Sequence, residues 1–497
     1  MRFRLGLMMF LQYCIWGVWA PILVLHLLGL EDFVDNPQTK INRVYMTMAI
    51  ASIIAPFIAG QIADRYFPTQ HFLGLSHLAG GVLLIVVAGL KSYPGIFVVM
   101  LAYSIIYAPT VALTNAICFR HLPDAKKDFS RVRLWGTIGW IVIMWLFSVW
   151  IGGADPLLAK IAPGAQESLA SWRRGLPHQP GVVDCLYVAA GLSFVLGVYS
   201  FFLPHTPPPE KPQNPLAFVE ALQLMRKRSF AVLVVIAFLV STELQFYFVL
   251  TPSFFNQGGG PFGPDAIAKV IAKDPDSQEA LAAARAHAER MIDAADTTGD
   301  AKLNLGELGT LAESDPAAAT FLESQQTERD AKGGLALDDA YVGPVMTFGQ
   351  ICEVIVLAFL PVVLRYWGFR LTIGLGIAAW ALRYFIFALG HPTGLVIASQ
   401  TLHGFGFGFF FVAIYIYADA IAPKDIQASV QSLLVLTTMG VGMFVSSLIA
   451  GPIADALKSD WHQVFLVPAV LCAVCCVAFL IGFRSEPKQP APAAESA

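Results

Sequence analysis

Twelve stretches of this 497-residue chain are apolar over roughly the length needed to cross a bilayer: 5–29, 42–62, 71–91, 95–117, 132–153, 182–204, 229–252, 342–364, 371–389, 394–420, 428–456 and 463–483. A helix spans the hydrocarbon core with about 20 residues. Backbone polar groups in lipid must be satisfied within the segment, so runs of this length read as helices. Composition agrees: 56% of residues are hydrophobic and only 13% charged, against about 25% charged in soluble domains. The first stretch carries Gln12, Trp16, Trp19 and Pro21, runs too long for a signal-peptide core, and is expected to stay as a helix. All seven cysteines lie in or at the ends of apolar spans, which argues against a disulfide framework or a zinc site. The Cys472/Cys475 pair reads as packing.

Basic residues set the expected orientation. With the N-terminus inside, the inside segments hold seventeen lysines and arginines and the short outside loops seven. Residues 253–341 are left out of this comparison, because long segments cross largely regardless of charge. Both termini are therefore expected inside, which requires an even number of spans. The longest inside loop, 205–228, begins His-Thr-Pro-Pro-Pro and ends in Arg-Lys-Arg. It divides the spans six and six: an N-terminal half at 1–204, a linker at 205–228, helix 7 at 229–252, and helices 8–12 within 342–483. A tail at 484–497 is expected to be disordered. Arg65-Tyr66 after helix 2 and Arg365-Tyr366 after helix 8 are a weak echo between the halves. Parallel six-helix repeats are the major facilitator arrangement, with a substrate site near the midplane.

Residues 253–341 differ from the rest. They carry sixteen acidic and seven basic residues, a net of −9 in a chain of −3. Gln278 to Ala294 is rich in Ala, Glu and Arg and reads as an exposed helix. Asp296 to Glu307 follows the spacing of a calcium loop. Asp296, Thr298 and Asp300 would offer side-chain oxygens, Lys302 its carbonyl, Asn304 a direct or water-mediated contact, and Glu307 a bidentate carboxylate. Ala301 stands where a glycine makes the sharp turn, and Thr298 lacks a charge, so weak binding is expected. A non-binding helical hairpin is the alternative. Glu328 to Asp339, with Gly333 and Leu335, aligns as a second loop without metal. The expectation is a small EF-hand-like helical insert holding Ca2+ outside the membrane.

Polar residues inside spans are expensive and are functional candidates by default. The strongest are Glu243 and Gln245 on helix 7, Gln350 and Glu353 on helix 8, and Arg383 on helix 9; His26, His77 and His403 follow. Gln350 and Glu353 are three apart and share a face. Glu353 reads as a substrate or proton group, or else as half of a buried pair with Arg383. Gln12, Asn115 and Gln400 can cross-link helices, and His77 reads as a packing residue. The alternating glycines of His403-Gly-Phe-Gly-Phe-Gly-Phe409 allow close helix approach or bending. No nucleophile–base constellation or cofactor motif stands out, so an enzyme is not expected.

Several segments resemble the bacterial nucleoside:proton symporters of the major facilitator superfamily. They are Leu11-Gln-Tyr-Cys-Ile-Trp-Gly17, Ala63-Asp-Arg65, Tyr107-Ala-Pro-Thr110, Arg133-Leu-Trp-Gly-Thr-Ile-Gly139, Thr242-Glu-Leu-Gln245, Gln350-Ile-Cys-Glu353 and Leu382-Arg383. They keep their order through both halves; the calcium-loop insert lies outside the usual pattern. The resemblance implies an all-α, twelve-helix transporter of the bacterial inner membrane that imports nucleosides with protons. It places Arg133, Thr137, Trp140, Gln245, Gln350, Glu353 and Phe407 in the substrate site, with His403 where the family has a tyrosine, and Glu353 as the proton-coupling group. Phe248 stands where the family has a polar contact, and Gly408 replaces an aspartate. The expected partners are a nucleoside, protons and lipid; a monomer is expected, and no nucleic acid. Another polar solute such as a sugar, or a calcium-responsive receptor on a transporter fold, are the rival readings.

Overall fold

The computed structural model describes residues 1–58, 68–122, 125–153, 160–176, 180–207, 222–257, 260, 262–274, 277–296, 302–303, 305–423 and 426–484. The apolar runs form long helices: α1 (Arg2–Leu28), α2 (Pro37–Ile58), α3 (Thr69–Gly89), α4 (Tyr93–His121), α5 (Ala125–Trp150), α7 (Asp184–Ser200) and α8 (Arg228–Asn256). After the insert come α13 (Asp339–Leu389), α14 (Thr393–Ile421), α15 (Ser429–Ala456) and α16 (Trp461–Gly482). Nine spans among the described residues are long and apolar enough to cross a membrane. Apart from one isolated bridge, no strand occurs among the described residues.

Irregularities fall where the sequence supplies a cause. The expected break at 365–370 is present as a sharp kink at Gly368 (φ 66, ψ 174), which separates two helices that we label together as α13. A side chain at that φ would be strained. Prolines sit inside α4, α13, α15 and α16, where packed neighbours re-satisfy the freed carbonyls. Wider π-type turns occupy Phe246–Leu250, Phe407–Val412 and Leu436–Gly442; such bulges collect at functional sites. A short helix not expected from the sequence, α6 (Pro163–Arg174), lies between α5 and α7. Its Trp172 packs edge-on against Trp150, whose indole N–H donates to Asp184 at 2.8 Å.

Between α8 and α13 the chain forms α9 (Pro264–Ile271), α10 (Gln278–Ala295), α11 (Leu305–Ala312) and α12 (Pro316–Lys332). These helices have their own core of Ile267, Met291, Ile292, Leu303, Leu308 and Phe321, separate from that of the bundle. Ser277 and Asp315 cap α10 and α12 through their side chains, as N-cap residues do. The proposed second loop is not formed. Glu328 to Lys332 is the last turn of α12, Gly333 (φ 86) ends that helix, and Leu335 donates its N–H to the Phe254 carbonyl. Helix-forming residues up to a left-handed glycine stop outweigh the loop alignment. Leu303 instead exchanges both backbone hydrogen bonds with Phe262, at 2.8 and 3.0 Å.

The two halves are fastened at the end of the bundle that carries the insert. Asp455 of α15 accepts the Gln38 and Thr39 N–H groups at the start of α2, at 3.1 and 2.8 Å. Ser253 donates to Gln38 at 3.3 Å, and Trp145 of α5 donates to Thr347 of α13 at 3.1 Å.

Candidate functional site

In the first half, α5 packs closely on α1 because Gly139 faces the Phe10 carbonyl; any Cβ there would overlap the Phe10 oxygen. That approach sets the Arg133 guanidinium 4.0 Å above the Tyr13 ring and brings Trp140 edge-on to Trp16 at 5.7 Å. Arg133, Thr137 and Trp140 follow one another along one side of α5, and Thr137 and Trp140 are half-buried. Behind them lies a satisfied polar cluster. Gln12 donates to Thr110 at 3.0 Å and pairs with His77 Nε2 at 2.8 Å; Tyr107 donates to the Gln12 carbonyl at 3.0 Å. Gln12 and His77 are therefore the helix cross-link and packing group expected of them.

In the second half, the glycine run lets α14 lie against α13. An added Cβ at Gly404 would sit 2.5 Å from the Glu353 nitrogen. Gly408 faces Val356, so the position where the family has an aspartate is a helix contact here. His403 is buried, stacks on Tyr247 (4.6 Å between ring centres) and on Phe407 (6.1 Å), and meets Trp380 edge-on at 5.4 Å. Gln350 is buried with Oε1 unpartnered, and Glu353, one turn on, is half-buried.

Across the halves, the cation whose field reaches Glu353 is Arg133. The alternative pair of Glu353 with Arg383 is not formed: Arg383 is boxed by Tyr247, Trp380 and Tyr384 and contacts His403 at 3.3 Å. The structure thus sets Glu353 within electrostatic reach of Arg133, packs Gly349 on His403 and Gly404 on the Glu353 backbone, and stacks His403 on Phe407. Gln245 is more committed than expected. Its backbone N–H goes to Ser446 and its Nε2 to Ser447, at 2.9 and 3.0 Å, leaving only Oε1 without a partner. Sequence reasoning missed Tyr13 and Tyr384. Each adjoins a singled-out motif, and a buried cation or carboxylate needs such a partner.

In the insert, Asp296 ends α10, Lys302 adjoins the bridge, and Glu307 is buried in the first turn of α11. Thr298, Asp300 and Asn304 lie outside the described residues. No cluster of three or more potential metal ligands occurs among the described residues. Asp338, the N-cap of α13, accepts from Ala340 N–H at 2.9 Å. Burial pushes its carboxyl up to about 6; Glu307 adds to the rise, while the Ala340 bond and Lys302 oppose it.

The chain is 27% identical to YegT of Escherichia coli (strain K12), whose name carries a provisional nucleoside-transporter description, over 97% of this chain and 94% of that one. It is 23% identical to the nucleoside permease NupG of the same organism, over 97% and 96% of the two chains. The crystal structure of a NupG point mutant superposes with a TM-score of 0.67 at 23% identity, covering 97% of this chain and 100% of that one, which establishes the shared fold. The profile of the nucleoside H+ symporter family matches residues 1–273 and 317–488 and leaves out 274–316, the stretch that holds α10 and α11. The chain belongs to the nucleoside H+ symporter family, a family of membrane transporters and not of enzymes.

Proposed function

We propose that this chain imports nucleosides with protons through a site between two six-helix halves, with Glu353 as a proton-binding group at the substrate. The observation that carries this reading is the half-buried Glu353 on an apolar helix, with Arg133 of the other half as the cation acting on it. Intramembrane charges of this kind mark substrate and ion pathways. Trp140 and Phe407 offer flat faces to a base or sugar ring. Arg133, Thr137 and the unpartnered oxygens of Gln350 and Gln245 offer hydrogen-bonding edges. The chain acts as a monomer with twelve spans in the inner membrane, both termini in the cytoplasm, and the insert outside. Uptake of radiolabelled uridine by cells with and without the chain tests this. Glu353→Gln is expected to abolish accumulation against a gradient. Accumulation equal to the parent's refutes the role of Glu353, and uptake of a sugar with no uridine uptake refutes the substrate class.

The insert binds one calcium ion through Asp296, Thr298, Asp300, Lys302, Asn304 and Glu307. The support is the ligand spacing, its position between α10 and α11, and the bridge that anchors Leu303. A loop with these departures suits the millimolar class of extracellular sites, which stiffens rather than signals.

A further inference from the structure

Deep in the second half, on the other side of Tyr247 from Gln350 and Glu353 in the order of contacts, a second carboxylate and a second cation are buried without forming a salt bridge. Glu243 of α8 is fully buried. Its Oε2 accepts a short hydrogen bond from the Tyr384 hydroxyl, and its Oε1 has no partner. Arg383, on the same helix as Tyr384, is also fully buried, and its Nε and Nη2 have no partner. Its guanidinium lies 4.1 Å from the Tyr247 ring, 4.1 Å from Trp380 and 4.8 Å from Tyr384. Among the described residues it makes no salt bridge with any carboxylate, and its hydrogen bond is to His403 Nδ1 at 3.3 Å. A carboxyl and a guanidinium are thus both fully buried beside Tyr384, with orphaned atoms on each.

A buried carboxylate with one free oxygen is costly as an anion unless something compensates it. As a neutral carboxyl it would leave Arg383 as the uncompensated charge. The two protonation states of Glu243 therefore place different demands on Arg383. Arg383 in turn touches the substrate face. It contacts His403, and it stacks on Tyr247, which also stacks on His403; His403 stacks on Phe407. The titratable and charged groups facing Glu243 are Tyr247 on its own helix, Arg383 and Tyr384 on α13, His403 on α14 beyond Arg383, and Cys472 on α16.

We propose that Glu243 is a second, obligatory proton site of this transporter, acting beside Glu353, and that Arg383 and His403 carry its protonation state to the substrate face. The proposal rests on the symport reading above. A proton from the water on one side binds Oε1 of Glu243 and converts the carboxylate to a neutral carboxyl, with Tyr384 still donating to Oε2. Release to the other side restores the anion; no other bond changes.

The test uses the full chain in proteoliposomes, with uridine counterflow at equal pH measured beside accumulation driven by a pH gradient. Glu243→Gln is expected to keep counterflow within about threefold of the parent while its accumulation ratio falls to 1. Accumulation at the parent's level overturns the proposal and leaves the symport reading standing. Parent vesicles that exchange no uridine overturn both. If Glu243→Gln loses counterflow as well, Tyr384→Phe decides. Removing the hydroxyl that steadies the anion is expected to move the pH midpoint of accumulation upward with counterflow intact. An unmoved midpoint overturns the proposal.

Discussion

Gln350 gives a sharp test because its two expected effects differ. It is buried on α13 with Oε1 unpartnered, one turn before Glu353. A buried acceptor without a donor costs about 1–3 kcal/mol. In the substrate-free protein, Gln350→Ala removes that cost and also removes packed methylene surface worth about 0.8 kcal/mol per CH2. The two terms oppose each other, so the empty protein should be destabilised by no more than about 1 kcal/mol. On the proposed reading, the same oxygen would accept from a base N–H or a ribose hydroxyl of a bound nucleoside. Deleting it then leaves the substrate donor unpaired, at about 1–3 kcal/mol, or roughly 5- to 150-fold in Kd. Thermal unfolding of the empty protein and calorimetric uridine titration, both on purified variant, read the two effects separately. An unchanged Kd removes Gln350 from the site. A large fall in Tm of the empty protein would show that Oε1 has a structural partner and refute the reasoning at its first step.

Glu307→Gln should abolish calcium stabilisation, which for the parent is about 1.4 kcal/mol when free calcium is about ten times Kd; parent and variant melting alike with and without calcium would refute the calcium site. Asp338 has its carboxyl raised to about 6 from the ordinary 3.8, so the native state holds the proton more tightly than the unfolded one. Stability should therefore rise as pH falls through that window. Asp338→Asn keeps a capping oxygen for Ala340 and should flatten the dependence; a Tm–pH slope identical to the parent's would refute this.

The spans were legible because each must satisfy its own backbone over a bilayer's width, which leaves long unmistakable runs. The joint between two of them was not. The polar gap at 365–370 reads as a loop, yet one glycine at Gly368 suffices to turn the chain. The second calcium loop failed for a local reason: Pro316 to Lys332 has a capped start, good helix formers and a glycine stop, and these outweigh an alignment. In the site, Arg133, Gln350 and Glu353 could be picked out as polar groups on apolar helices. Which cation serves which carboxylate could not, because pairing depends on how α5, α8, α13 and α14 are rotated about their axes. That rotation gave Glu353 the field of Arg133, left Arg383 among aromatic rings, and turned the Gln245 amide toward Ser447.

The same packing says where the insert can act. Among the described residues, its return segment is bonded to helices that follow the 205–228 linker. Leu335 and Leu337 donate to the Phe254 and Phe255 carbonyls, Asn256 bonds Gly260, Leu337 and Asp339, and Gly333 lies against His462 of α16. These bonds tie the base of the insert to α8 and α16. Different contacts join the helices before and after the linker at this end: Asp455 on the start of α2, Ser253 on Gln38, and Trp145 on Thr347. An anion at a helix N-terminus contributes about 0.3–1 kcal/mol when exposed and up to about 2 kcal/mol when partly buried. A handful of such bonds holds this end shut by an amount that substrate and proton binding can overcome. A calcium ion in the insert would stiffen a body tied to α8 and α16, without touching that balance. Transport should then survive chelation with its rate changed little, whereas removing the Asp455 carboxylate should shift the protein toward the state open at the insert end. Uridine uptake measured with and without chelator checks the first outcome, and a rate that falls to zero would show that the insert gates the pathway.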